Sequence, residues 1–111
     1  MRGKMHKLIF LFHLMVFSYS IASSSWYGSW IALDEWQSEY AVEINEDGTA
    51  TSDYGNGESG TWEIIDGNLE IRWDSGKIDY WFNGVMGFQR LSKSSTKTYT
   101  SGLRKKLFDK R

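Results

Sequence analysis

Residues 60–82, GTWEIIDGNLEIRWDSGKIDYWF, alternate apolar and polar side chains across two turn signals, a pattern that a chain satisfies as three adjacent antiparallel strands. Taking Asp66-Gly67 and Ser75-Gly76 as two-residue hairpin loops sets Ile64 opposite Leu69, Trp62 opposite Ile71, Trp73 opposite Ile78, Ile71 opposite Tyr80 and Leu69 opposite Phe82. The apolar residues of these pairs then share one face. The other face pairs Arg72 with Asp79 and Asp74 with Lys77, with Glu63 against Glu70 as an unexplained repulsion. A slip of one residue reverses the faces, so the register rests on the loop lengths. Gly60 falls opposite Trp73, where this reading leaves room for the indole.

Around this centre the same logic extends. Tyr40, Val42 and Ile44 alternate with polar neighbours, and Glu46-Asp47-Gly48 suits a three-residue loop with glycine at positive φ. That register places Ile44 opposite Ala50 and Tyr40 opposite Tyr54. Residues 26–33 read as a first strand, 34–38 as a short helical turn or loop, and 55–58 as a loop. Asn83-Gly84 reads as a turn into a strand over 85–91, and 97–101 as the last strand. The expected fold class is all-β: a small antiparallel meander closed or nearly closed into a barrel of seven or eight short strands. Closure is favoured because an open meander leaves two edges unprotected. Its expected interior is Trp30, Tyr40, Val42, Ile44, Trp62, Ile64, Leu69, Ile71, Trp73, Ile78, Tyr80 and Phe82. Residues this bulky fill a small barrel, leaving at most a shallow pocket at one mouth.

The N-terminus carries Arg2, Lys4 and Lys7, an apolar run over 8–17 and Ser20-Ile21-Ala22, the order of a secretory signal peptide. The run is shorter than the roughly 20 residues a spanning helix needs, so no membrane span is expected after cleavage near Ala22 and Ser23; an uncleaved anchor is the alternative. The expected division is a signal-peptide helix over 1–22, a barrel domain over 23–101 and a basic tail over 102–111. Secreted or periplasmic localisation follows. Both histidines, His6 and His13, lie in the signal, and the chain contains no cysteine and no proline. The mature domain therefore lacks the residues of a Ser-His-Asp triad, a cysteine nucleophile, a His or Cys zinc site or a disulfide. No cofactor, metal site or catalytic residue is expected.

Acidic residues dominate 23–83, where Arg72 and Lys77 are the basic ones, while 84–111 is basic with Asp109 as its one acid. The tail reads first as solvated, with an anionic envelope partner as the other possibility. An acidic body argues against nucleic acid. Carboxylates such as Asp34, Glu35, Glu63, Glu70 and Asp79 are expected on the wet face rather than in a glycosidase pair.

Gly28-Ser29-Trp30 resembles the Gly-x-Trp signature of lipocalins, and Gly60-Thr61-Trp62 repeats it. From Asp47-Gly48-Thr49-Ala50 to Ile71-Arg72-Trp73-Asp74-Ser75-Gly76 the chain is similar to small bacterial secreted proteins of lipocalin-like appearance. The resemblance implies a fold and no particular activity. The chain is too short for the long strands and deep cavity of a true lipocalin.

In the register above Trp81 points outward, beside Glu70, Arg72 and Asp79. That arrangement suits covering by a loop or second subunit, and it also suits stacking on a sugar ring. Trp26, Tyr27 and Trp36 form a second aromatic group, either a plug at one mouth or a binding rim. The candidate ligand-binding residues are accordingly Trp81, Glu70, Arg72, Asp79, Trp36 and Tyr27. The expected function is non-enzymatic recognition of a carbohydrate or protein partner, by a monomer or weak oligomer, with inhibition of an extracellular hydrolase as the alternative.

Overall fold

The computed structural model describes residues 26–107; the expected signal-peptide helix and its cleavage point lie outside them, as does the end of the tail. Eight strands form a closed antiparallel barrel in chain order: β1 (Gly28–Leu33), β2 (Glu39–Ile44), β3 (Thr49–Ser52), β4 (Glu58–Ile65), β5 (Asn68–Trp73), β6 (Ile78–Gly84), β7 (Gly87–Lys93) and β8 (Thr98–Lys105). β1 closes on β8 through Trp30–Lys105, Ile31–Arg104 and Ala32–Leu103. Closure therefore uses residues 103–105, which the sequence reading assigned to the tail.

The β2–β3 hairpin has the expected register, with Ile44 opposite Ala50, Gly48 at φ 92°, and the Tyr40 and Tyr54 rings 4.8 Å apart. The β4–β5 hairpin also agrees, from Gly60–Trp73 through Glu63–Glu70 to Ile64–Leu69. Its loop residues Asp66 and Gly67 both have positive φ, 54° and 84°, the requirement of a tight two-residue turn between twisted strands. Gly60 does more than make room for an indole. A Cβ there would run into Arg72 O and lie 2.9 Å from Trp73 Cα, so it is the β5 backbone that approaches.

The β5–β6 register differs from expectation by one residue. Leu69 pairs with Trp81, Glu70 with Tyr80, Ile71 with Asp79 and Arg72 with Ile78. Trp73 N donates to Lys77 O at 2.9 Å and Gly76 N to Trp73 O at 2.9 Å, enclosing the three residues Asp74, Ser75 and Gly76. Gly76 has φ 99°, whereas Ser75 does not adopt positive φ. A two-residue primed turn needs a left-handed residue that Ser75 does not supply, and one added loop residue lets Gly76 take that conformation alone. The consequence is a reversal of faces: Asp79 and Trp81 enter the barrel, while Ile78, Tyr80 and Phe82 turn outward and stay half-buried. The predicted Arg72–Asp79 and Asp74–Lys77 pairs are replaced by Arg72–Glu70 at 2.6 Å and Lys77–Glu58 at 2.7 Å.

The next hairpin also turns elsewhere. Asn83 and Gly84 belong to β6, Gly84 pairs with Gly87, and Val85-Met86 form the loop with Gly87 at φ 108°. In the 34–38 connection, Asp34 Oδ1 accepts from Trp36 N and Ser38 N, and Gln37 takes φ 67°.

By strand direction, one end of the barrel carries the start of β1, the loops at 45–48, 66–67 and 85–86, and the end of β8. The opposite end carries the loops at 34–38, 53–57, 74–77 and 94–97. The first end is packed with rings: Trp30 lies 5.5 Å from Trp26, 5.3 Å from Trp81 and 5.1 Å from Phe88 between centroids. Lys105 Nζ sits 4.9 Å from the Trp30 ring and donates to Tyr27 O at 2.6 Å.

The second end has a polar core. Arg90 and Asp79 are both buried; Arg90 Nη2 and Nε each lie 3.3 Å from an Asp79 carboxylate oxygen. Arg90 Nη1 donates to Leu33 O at 2.7 Å and Ser101 Oγ at 2.8 Å, and Trp73 Nε1 donates to Asp79 Oδ2 at 3.2 Å. The guanidinium lies 5.6 Å from the Tyr40 ring and 5.3 Å from the Tyr99 ring. Burial alone would lower the Arg90 pKa, but Asp79, Tyr40 and Tyr99 together outweigh it and hold the guanidinium above its ordinary range. This network also explains how Asp79 can occupy an interior position at all: a buried carboxylate is tolerated when paired and hydrogen-bonded.

Candidate functional site

With the lumen filled by side chains, the space available to a ligand lies in the wall. The β5–β6 ladder stops at Leu69–Trp81, while β6 goes on to pair Phe82 and Asn83 with Gln89 and Phe88 of β7. At that point β5 turns away with the β4–β5 hairpin. The parting strands leave a cleft of about 200 Å³. Ile65, Leu69, Tyr80, Trp81 and Phe82 supply its apolar walls, and Asp66, Asn68 and Glu70 its polar groups.

Two features of this cleft are unusual for a surface depression. Trp81 is fully buried, yet its Nε1–H has no hydrogen-bond partner. The other interior indoles are satisfied: Trp26 donates to Gly67 O at 2.9 Å, Trp30 to Trp26 O at 3.0 Å, Trp62 to Asn45 O at 2.8 Å and Trp73 to Asp79. A buried donor left unpaired costs free energy, and this one lies on the lumen side of the wall, with its ring against Trp26 and Trp30. Glu70 is the second feature. It points away from the lumen yet is only 7% exposed, and its Oε2 contacts Arg72 Nη2 at 2.6 Å without the alignment of a hydrogen bond.

The six residues singled out from sequence are thus divided. Trp81 and Glu70 meet at the cleft, Trp81 as an interior side chain rather than the expected outward one. Arg72 reaches the site through its ion pair with Glu70. Asp79 is taken into the Arg90 network inside the barrel. Trp36 is 75% exposed in the 34–38 connection, at the opposite end. Tyr27 packs on Trp62 with centroids 5.6 Å apart. Tyr80 and Phe82 were assigned to the interior and instead form the outer wall. Ile65, Asp66 and Asn68 were read only as parts of a hairpin. Nothing in the local pattern could have found the cleft, because Ile78, Tyr80 and Phe82 alternate equally well with either face inward, and the loop alone decides.

Chemically, aromatic and aliphatic walls can hold the face of a ring, and carboxylates can accept from hydroxyl or ammonium groups. Among the described residues no cluster of three or more His, Cys, Asp or Glu side chains could hold a metal ion. No helix among them is long and apolar enough to cross a membrane. No protein-family model matches this chain, and neither a curated protein nor a solved structure was found similar to it.

Proposed function

We propose that this chain is an exported, non-enzymatic binding module that recognises a carbohydrate ring in the cleft between β5 and β6. The observation that carries the reading is the cleft walled by the outward rings of Tyr80 and Phe82, with Asp66, Asn68 and Glu70 as its polar groups. Sugars present an apolar ring face together with hydroxyl groups, which suits aromatic walls beside carboxylates. The signal-like N-terminus supports export, and Gly28-Ser29-Trp30 at the start of a closed barrel supports a lipocalin-like origin. The ligand site differs from a lumenal one in lying through the wall. Binding to a glycan array should be lost in Tyr80→Ala and weakened in Phe82→Ala, which remove the two outward rings of the cleft. Undiminished binding by both folded variants would move the site elsewhere.

A second reading rests on the β6–β7 tip. Val85 and Met86 are almost fully exposed, 102% and 86%, at the end of a projecting hairpin where apolar side chains gain nothing from folding. Such a tip suits insertion into the cleft of an extracellular hydrolase. Inhibition that survives Tyr80→Ala and disappears in a Val85→Ser, Met86→Ser double variant would favour this reading over the first.

A further inference from the structure

Independently of the carbohydrate reading, we infer that the barrel end bearing the 85–86 tip docks on an anionic lipid surface. The apolar tip enters the bilayer interface, and the basic end of β8 meets the headgroups. Tight hairpin loops ordinarily carry glycine, asparagine or aspartate, yet the loop residues here are Val85 and Met86, both almost fully exposed. The tip leads into β7, whose neighbour β8 finishes at the same end of the barrel. There Arg104, Lys105 and Lys106 are exposed, and Leu107 beyond them is 81% exposed. Arg104 shares its charge with Glu39 at 3.4 Å in a pair that stands mostly in water, and Lys105 is fixed by its bond to Tyr27 O. One end of the molecule thus presents apolar groups to water with three cations on the adjoining side.

Charge and chain direction favour lipid as the occupant. An anionic bilayer attracts cations held near its surface and takes up short apolar groups among its headgroups, so it answers the tip and the end of β8 together. Trp26, the first described residue, lies at this same end, donating to Gly67 O and packing on Phe88. The apolar run at 8–17 precedes it with eight residues, 18–25, between them, a link of at most about 30 Å. While that run is attached, a membrane that takes it up is met first by this end of the barrel. The rim also carries the acids Glu46, Asp47 and Asp66, but these sit on the β2–β3 and β4–β5 loops. Around the rim the tip stands between Asp66 and the end of β8, so the barrel meets lipid with its β7–β8 side inclined towards it.

The chain contains no cysteine, so Met86→Cys carries an environment-sensitive fluorophore at the tip and nowhere else. Trp36→Cys, at the opposite end and 75% exposed, carries the same dye as the control. The labelled full chains are titrated with vesicles of phosphatidylcholine alone and of phosphatidylcholine mixed with phosphatidylglycerol. With the anionic vesicles the dye at 86 should shift to the blue while the dye at 36 does not. Anchoring through 8–17 alone brings the barrel near the vesicle without placing position 86 in it. In the tip-labelled chain, Lys106→Gln should raise the lipid concentration needed for half the shift about fivefold, the worth of one cation at such a surface. Val85→Ser should raise it about fivefold or more through lost apolar burial. A silent dye at 86, or equal shifts at 86 and 36, would overturn the inference and leave the tip to the enzyme-cleft reading. Equal shifts with neutral and anionic vesicles would overturn the part given to the basic end of β8, and with it the choice of an anionic surface.

Discussion

Breaking the Arg90–Asp79 pair tests how the polar end of the barrel is held. Arg90→Met would leave the Asp79 carboxylate buried with Trp73 Nε1 as its remaining donor, and Asp79→Leu would leave a guanidinium buried against Leu33 O, Ser101 and Tyr99. Removing one partner of a buried pair costs about 3–5 kcal/mol, because the survivor keeps its desolvation penalty and loses its counter-charge. The described residues, 26–107, number about 80, which at typical values corresponds to a total stability of about 4–12 kcal/mol. Either single substitution thus removes much of the whole, and lowers Tm by roughly 20–30 °C. The double variant behaves differently, since both charges leave together and two apolar side chains of suitable size take their place. Leu33 O still accepts from Ser101 Oγ at 2.6 Å, so it is not orphaned. The double variant should cost less than either single one. Urea unfolding followed by tryptophan fluorescence measures all three, with an unchanged m-value confirming the same extent of unfolding. Two single costs each below about 1 kcal/mol that simply add would refute the claim that this pair anchors the interior.

Gly60→Ala should destabilise the barrel by about 1–3 kcal/mol, since the added methyl meets β5 backbone that cannot rotate aside; a urea midpoint equal to wild type would contradict the close approach. Burial raises the pKa of the Tyr40 hydroxyl well above its ordinary value of 10.0, so the folded state holds that proton more tightly than the unfolded chain. Its contribution is complete below about pH 10 and is lost as the pH rises from there towards the folded-state value. Tyr40→Phe should therefore show a shallower alkaline fall in Tm than wild type, measured by scanning calorimetry across that range. An identical fall would show that Tyr40 is not the group responsible.

Much of the fold could be read from residue spacing, because each correct register is specified by a turn whose residues permit one geometry. Asp66-Gly67 supplies two left-handed residues and gives the predicted β4–β5 pairing; Glu46-Asp47-Gly48 supplies one at the third position and gives the predicted β2–β3 pairing. Ser75-Gly76 is the same signal in weaker form. Serine resists the left-handed conformation, Asp74 joins the loop, and the parity of β6 changes. Likewise Asn83-Gly84 is a favourable turn dipeptide, but turning there would withdraw Asn83 and Gly84 from their pairs with Phe88 and Gly87. Local preference yielded to the longer ladder. The candidate site was legible only in part for the same reason. Trp81 and Glu70 were recognised as out of place, but their relation to each other depends on which way β6 faces.

That dependence ties the interior and the cleft to one cause. Had β6 entered in the expected register, Tyr80 and Phe82 would fill the lumen and Asp79 would face water, leaving Arg90 buried without its counter-ion. The observed register instead places Asp79 against Arg90 at one end and Trp81 against Trp30 at the other. It also puts two aromatic rings, Tyr80 and Phe82, on the outer surface beside the point where β5 leaves β6. Among the described residues the interior of this small barrel is occupied by the side chains that stabilise it. Recognition must then use the wall or the loops. The wall offers aromatic faces and carboxylates within a single gap, and the loop at 74–76 that sets the register of β6 also governs whether the cleft exists. Asp79→Leu and Arg90→Met should accordingly weaken ligand binding through loss of the fold, whereas their folded double variant should retain the cleft and bind as wild type does.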